Sequence, residues 1–308
     1  ALALLACGGG GGGGGDAPGA PSATGLVITS ANAPSVAAEA PETSTTTDAA
    51  SAAGRFVTGV QVDAGSGGGS HPQLLAGAAR TLLARPRTTG PVAAGAVVSE
   101  ACWGGGTVTV DPTTSGAPYT VAGDSLSISA SQCVESVDGA TIVMNGSMSI
   151  AITSGSYDPG SFVYPKSVTM RIVASNFSTG IPGGPTEVFD GDLTLALTET
   201  GTTTGSLTAT AASLTSTFGS AHITLSDYRL QAAQTSTGST LSVSAQVETN
   251  NARLGSTAVR YGLATETPVA VSSSGAVTAG SIRVSGTNSS LLLLVTATDT
   301  FSLQADTN

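Results

Sequence analysis

From residue 97 onward, apolar residues alternate with polar or small residues along many segments of the chain. Leu193, Leu195 and Leu197 occupy every second position of one such segment, and residues 241–247 repeat the pattern with Leu, Val and Ala. A period of two is typical of antiparallel strands that turn one face to a core and the other to water. This part of the chain is therefore predicted to be β-structure.

Segments of this kind recur to the end of the sequence, and the connections between them are rich in Gly, Ser, Thr and Pro. Such connections are too short for the crossovers that parallel strands need. We predict a mainly antiparallel, all-β fold: one large curved meander or open barrel of roughly ten to fourteen strands, with a two-sheet sandwich as the alternative. The predicted strands are 107–110, 125–130, 142–152, 167–173, 192–197, 206–214, 222–230, 241–247, 269–271, 281–284, 291–296 and 300–303.

One strong helical pattern lies near residues 72–85. Leu74 and Leu82 are eight residues apart with Ala78 midway, and a second apolar row runs beside them. Pro72 suits a first helical turn and Pro86 ends the segment. This helix has an apolar face to bury, and we expect it to pack against the sheet.

The N-terminal region has a different character. Leu4, Leu5 and Ala6 precede Cys7, and an unbroken glycine run from Gly8 to Gly15 follows. This is the pattern of a bacterial lipobox with a flexible tether, in which the Cys7 thiol is acylated and residues 1–7 end a signal peptide. A chance match in a cytosolic protein is the alternative. The expected location is the bacterial cell envelope, lipid-anchored at the outer membrane.

Residues 8–53 are predicted to be a flexible Gly/Thr/Ser/Ala tether, and residues 54–308 the antiparallel β domain. Within the tether, 26–29 has the composition of a short strand. Residues 30–32 resemble a cap before an alanine-rich helical segment that reaches about Ala40.

Composition narrows the function classes. Charged residues make up 10% of the chain and the net charge is −10. Basic residues are few and form no stripe, which argues against a nucleic-acid partner. The negative charge also disfavours electrostatic attraction to anionic lipid, so acyl chains would have to hold the protein at a membrane.

Three cysteines fit an exported lipoprotein. With Cys7 acylated, Cys102 and Cys133 remain as an even pair, and we expect them to form a disulfide in an oxidising compartment. Closing a loop of this length contributes about 3 kcal/mol in the chain-entropy model.

A loose internal echo links 143–150 with 188–195 and, more faintly, with 277–284; in each, a glycine enters an alternating strand. Cys102 and Cys133 flank two further segments, Thr107–Val110 and Gly123–Ile128. Together, these features resemble a group of uncharacterised proteobacterial lipoproteins with glycine-rich tethers. The resemblance covers most of residues 100–300. It implies a β-rich envelope lipoprotein and supplies no activity or site residues.

Catalytic groups are sparse. His71 and His222 are the only imidazoles, and no nucleophile elbow is present. We therefore predict a protein that is not an enzyme and needs no cofactor.

Carboxylates cluster around one strand, where Asp190 and Asp192 share a face if the strand is regular. A weak calcium site is one interpretation, a glycosidase pair another, and a solvated turn the third. The cluster also includes Glu187 and Glu199.

Aromatic residues offer a further candidate surface. We expect Trp103 to pack in the core beside the disulfide, with a sugar-stacking role as the alternative. Tyr157, Phe162, Tyr164 and Phe177 form the densest aromatic stretch, which is either a binding patch or ordinary packing.

Three functions remain open at this stage. The first is a non-enzymatic envelope protein that binds a partner protein or serves a structural surface role. The second is a carrier or sensor of an apolar ligand in the concavity of the sheet. The third is a carbohydrate-binding or carbohydrate-acting protein that uses the aromatic residues beside Asp190 and Asp192.

Overall fold

The computed structural model describes residues 23–44, 97–113, 115, 120–137, 140–158, 161–184 and 186–307. Its strands belong to one sheet, in which almost every strand pairs with its neighbours in sequence. The elements are β1 (Thr24–Gly25), α1 (Ala33–Ser44), β2 (Val98–Ala101), β3 (Thr107–Thr113), β4 (Thr120–Val121), β5 (Ser125–Val137), β6 (Ala140–Tyr157), β7 (Lys166–Gly180), β8 (Thr186–Glu199), β9 (Gly205–Phe218), β10 (Ala221–Thr235), β11 (Gly238–Thr249), β12 (Val259–Ser272), β13 (Val277–Ser285), β14 (Ser290–Ala297) and β15 (Thr300–Asp306).

The sheet is an antiparallel meander with β2 at one edge and β15 at the other. The sheet is not closed. Two short strands lie off the main path: β1 pairs in parallel with the start of β12, and β4 pairs with the end of β6. The predicted all-β antiparallel fold is confirmed, and the two-sheet alternative is wrong because one continuous hydrogen-bonded ladder joins the strands.

Many strands are longer than the sequence predicts because bulges interrupt them without ending them. Residues with positive φ lie inside several strands, namely Gln132, Gly146, Asn176, Gly191 and Asp227. At or next to each of them the pairing register of the sheet shifts. A bulge bends its strand and increases the local twist, so this row of bulges curves the sheet.

The core lies on one face of the sheet. Val168, Met170 and Ile172 of β7 are at most 1% exposed, and Leu193, Leu195 and Leu197 are buried beside them. The alternation seen in the sequence therefore marks the inner face correctly. Buried residues from β6 to β14 form one hydrophobic cluster together with residues of the N-terminal segment.

The N-terminal segment 24–44 packs against the sheet. The Leu26 carbonyl accepts a hydrogen bond of 2.7 Å from the Thr287 amide, and the Ile28 amide donates to Ser289 Oγ at 2.9 Å. Leu26, Ile28 and Val36 are at most 3% exposed. The predicted tether over 8–53 is therefore wrong for this part, because buried apolar side chains fix it to the sheet.

The helical segment predicted to reach about Ala40 corresponds to α1. The turn before it is held by reciprocal bonds: the Thr29 amide donates to Asn32 Oδ1 at 2.7 Å, and the Asn32 amide donates to Thr29 Oγ1 at 3.2 Å. The predicted helix at 72–85, Cys7 and the glycine run lie outside the described residues. In the part of the chain that the structure describes, the search for a helix able to cross a membrane finds none.

Candidate functional site

The predicted cysteine pair forms a disulfide. Cys102 and Cys133 are bonded, with their Cα atoms 5.3 Å apart, and both side chains are buried. The bond ties the β2–β3 turn to β5, and two backbone hydrogen bonds reinforce it, from Gly104 to Val134 and from Val134 to Gly105. This pairing was predictable from cysteine parity, and its role is to hold the edge of the sheet.

Trp103 does not pack in the core as expected. The residue occupies the tight β2–β3 turn next to Cys102, and its side chain is 75% exposed. The turn directs the neighbouring cysteine inward and the indole outward. The prediction of a core tryptophan is wrong, because a turn residue follows the geometry of the turn and not the alternation of a strand.

The internal echo of the sequence has a structural cause. Asp190 Oδ1 accepts a 2.7 Å hydrogen bond from the Asn176 amide on β7. In the same way, Asn145 Oδ1 accepts a 2.7 Å bond from the Gln132 amide on β5. Each side chain fastens the bulge of the preceding strand, where the regular ladder leaves an amide without its usual partner.

A glycine must follow Asn145. Gly146 has φ of +91°, and a Cβ at this position would lie 2.0 Å from the Asn176 carbonyl oxygen. The Asn-Gly and Asp-Gly dipeptides of the echo are thus bulge fasteners in adjacent parts of the sheet.

Asp192 is engaged by a different group. Arg171 Nε lies 2.9 Å from each oxygen of the Asp192 carboxylate, and Arg171 Nη2 also donates to it. The pKa of Asp192 lies below its ordinary value, chiefly because its carboxylate accepts hydrogen bonds from Arg171. Desolvation opposes this shift, and the positive charge of Arg171 adds to it. The pairing with Arg171 therefore stabilises the fold at pH values above the pKa that Asp192 has in the unfolded chain. This stabilisation is lost as the pH falls through the lower pKa of Asp192 in the folded state.

The calcium interpretation of Asp190 and Asp192 stays a prediction. Both carboxylates accept protein hydrogen bonds in the structure. Among the described residues, no group of three or more His, Cys, Asp or Glu side chains is arranged to hold a metal ion. The hydrogen bonds that Asp190 and Asp192 accept from β7 give both residues a structural role in the sheet.

Replacing Asp190 separates the two interpretations. We expect Asp190→Ala to lower the free energy of unfolding by about 1 kcal/mol, because the Asn176 amide loses its acceptor. Asp190→Asn keeps an acceptor oxygen and is expected to stay within about 0.5 kcal/mol of the wild type. Urea unfolding measures both variants. A rise of the melting temperature in millimolar CaCl₂ that both variants abolish would instead establish the calcium site.

The most distinctive polar cluster surrounds the only lysine of the chain. Lys166 Nζ lies 3.5 Å from Glu199 Oε2, and the two side chains are only 9% and 7% exposed. Tyr157 donates its hydroxyl hydrogen to Glu199 Oε1 at 2.8 Å. The ammonium also lies 5.7 Å and 5.2 Å from the ring centroids of Tyr157 and Tyr164.

Each member of this cluster compensates the burial of another. A buried charge is tolerated when it is paired and hydrogen-bonded. Glu199 meets a cation at one oxygen and a hydroxyl at the other, while Lys166 has an anion and the faces of two aromatic rings around it. The cluster therefore forms a base of mutually paired side chains where β6 and β8 end and β7 begins.

A strongly exposed apolar pair projects from this base. Phe162 and Val163, here called the apolar tip, are 81% and 77% exposed in the β6–β7 connection. The Val163 amide donates to Ser161 Oγ at 3.1 Å, and the Ser161 amide donates to the Asp158 carbonyl at 3.3 Å. These two hydrogen bonds link residues beside the tip, which lies between Tyr157 and Tyr164 in the sequence.

The aromatic stretch of the sequence therefore divides. Tyr157 and Tyr164 anchor the connection, Phe162 is presented to solvent, and Phe177 is buried beside Phe189 on the far part of β7. Reasoning from the sequence grouped Glu199 with the other acidic residues and missed Lys166. Its signal was a single lysine following an aromatic, proline-containing segment.

Among the described residues, the structure does not bring the aromatic side chains and the carboxylates into the single row that a carbohydrate site would use. Asp192 pairs with Val173 in the middle of β7, whereas the apolar tip lies before the first residue of that strand. Trp103 lies in the β2–β3 turn, at a different edge of the sheet.

The chain itself is the remaining guide to function. Comparisons with protein-family models, with curated proteins and with solved structures find no match.

Proposed function

We propose that this chain is a lipid-anchored, non-enzymatic protein of the bacterial cell envelope that binds a partner protein through the apolar tip. The observation that carries the proposal is the exposure of Phe162 and Val163 on the buried Lys166–Glu199 base. The anchor at Cys7 and the outer-membrane location rest on the lipobox pattern and on the resemblance to proteobacterial lipoproteins.

A fixed apolar projection suits protein recognition. Aromatic side chains are enriched among the residues that dominate binding energy. Holding them in place before binding reduces the entropy lost on association. The tyrosine and lysine contacts beneath the tip supply this support, since they fix both ends of the connection.

The apolar tip and the first paired residue of the N-terminal segment lie at opposite ends of the sheet. Thr24, the first paired residue, lies beside Val259 at the start of β12. β6 and β12 run in the same direction along the meander, and the tip follows the end of β6. A strand of 14 residues, such as β12, spans about 45 Å. The described N-terminal segment therefore joins the sheet at the end opposite to the apolar tip.

The carrier of an apolar ligand finds less support. That function requires an open concavity, yet the inner-face residues Val168, Met170 and Val247 have no exposed surface. A ligand would have to displace close packing, which is costly in a protein interior.

Site-specific photocrosslinking tests the proposal. A photoreactive phenylalanine analogue at position 162, in the lipidated protein expressed in its native host, is expected to give one saturable crosslinked protein band. The matched control places the same analogue at Ser236, an exposed residue of the β10–β11 turn at the same end of the sheet. The crosslinked band should form with the analogue at position 162 and not with the analogue at position 236.

A second variant checks the role of the tip. Phe162→Ser together with Val163→Ser is expected to lower the yield of a crosslink from the neighbouring position, Ser161, at least tenfold with unchanged thermal unfolding. Equal crosslinking at 162 and 236, or insensitivity to the double change, would show that the tip is not the binding surface.

A further inference from the structure

The last strand, β15, forms one edge of the sheet. Among the described residues, β15 pairs with β14 on one side and with no strand on the other. Leu303 lies opposite Leu293, and Phe301 lies opposite Val295. Residues directly opposite in an antiparallel pair share a face, so Phe301 and Leu303 belong to the core face. Leu293 is 7% exposed, whereas Leu303 and Phe301 are 44% and 54% exposed.

The two edges of the sheet are protected very differently. At the first edge, β2 has only four residues and carries Glu100. Where β3 extends past β2, the edge carries Asp111 and Pro112. Charges, proline and short strands are the usual devices that stop an edge from pairing with another chain.

β15 has none of these devices over most of its length. Its seven residues include no proline and no basic residue, and the only charge is Asp306 at its end. Its side chains are exposed except for the half-buried Ser302. A strand edge of this kind, with an apolar face, is a template for a further strand.

We propose that β15 pairs antiparallel with β15 of a second copy of this chain, about a two-fold axis at Leu303. This register uses all seven residues: Leu303 faces its own copy, Phe301 faces Ala305, and Thr300 faces Asp306. The apolar residues of both copies then lie on the same face, and the core layer continues from one copy into the next.

The charges of the strand are compatible with this register. Each chain has a net charge of −10, so an interface between two copies must keep its acidic residues apart. The two-fold pairing places each Asp306 opposite a threonine and away from the other Asp306. The contact is also isologous, so it closes at a dimer and does not continue into a fibre.

Sedimentation equilibrium of the full chain tests the dimer. We expect a concentration-dependent monomer–dimer equilibrium, and a dissociation constant raised at least tenfold by Leu303→Lys, because two ammonium groups would meet at the axis. Circular dichroism confirms that the variant is folded. A wild type that stays monomeric at high micromolar concentration overturns the proposal, as do larger assemblies or a dimer that Leu303→Lys leaves unchanged.

Disulfide trapping tests the register, in a Cys7→Ser background with the native disulfide intact. Leu303→Cys places the two thiols directly across the axis, about 5 Å apart at Cβ. The matched control is Ala305→Cys on the same strand and face, whose copies lie four residues apart along the strand, about 13 Å. We expect at least tenfold more crosslinked dimer for position 303. Equal trapping at both positions indicates random collision and overturns the pairing, and preferential trapping at 305 overturns the register.

The outcome is separable from that of the proposed function. Phe162 and Val163 lie in the β6–β7 connection, far along the sheet order from β15. Changes at the apolar tip are therefore expected to leave the dissociation constant of the dimer unchanged. A strand supplied by a different protein would cover β15 without any self-association, and that result would also contradict the dimer.

Discussion

Replacing Glu199 by leucine is expected to lower the free energy of unfolding by about 3–5 kcal/mol, because the Lys166 ammonium is left buried without its anion. The side chains of this pair are 9% and 7% exposed, so solvent screens their interaction little. The Tyr157 hydroxyl loses its acceptor as well. Urea denaturation followed by circular dichroism measures the change.

The double variant Lys166→Met with Glu199→Leu is the matched control. Removing both charges together leaves no unpaired ion, and replacement of a buried pair by apolar residues is often close to neutral. We expect the double variant to recover most of the lost stability. If Glu199→Leu alone is within about 1 kcal/mol of the wild type, the cluster does not hold the connection below the apolar tip.

Loss of the disulfide is expected to cost about 3 kcal/mol. Cys102 and Cys133 are 31 residues apart, and the chain-entropy model gives this value for a loop of that length. The variant with both cysteines changed to alanine should show the loss in its urea midpoint. The largest structural effect should appear at the β2–β3 edge, which the bond ties to β5.

Reduction supplies the control for this prediction. A reducing agent should bring the wild type close to the stability of the double alanine variant and should leave that variant unchanged. If the wild type keeps its midpoint with both thiols demonstrably free, then contacts around the turn, such as the Gly104–Val134 hydrogen bond, hold the edge without the covalent link.

The fold class could be predicted because the alternation of apolar and polar residues within a strand depends only on residues that are close in sequence. The alternation at Leu193, Leu195 and Leu197 determines which face of a strand is apolar, and the structure buries these residues. Cysteine parity likewise predicted the Cys102–Cys133 bond. The bounds of the strands were harder, since Gly146 and Gly191 also suit turns and only the neighbouring strands show that they are bulges.

The candidate sites depended on contacts that are distant in sequence. The sequence marks Asp190 as a candidate calcium ligand, and only the structure shows that its carboxylate also accepts a hydrogen bond from the Asn176 amide. The N-terminal segment has the composition of a linker, yet Leu26 and Ile28 are buried against residues more than 250 positions later, as the Ile28–Ser289 hydrogen bond shows. Composition alone does not show where a few apolar residues of such a segment pack against the rest of the protein.

The sequence by itself determined an acidic, antiparallel β protein with one cysteine pair, because charge, alternation and parity are properties of the chain. Only the tertiary structure decided that Lys166 is buried with Glu199 and that Phe162 is exposed beside this base. It also decided that, among the described strands, β15 pairs on one side only. Burial and pairing depend on which strands become neighbours. That is a long-range outcome of packing the whole sheet.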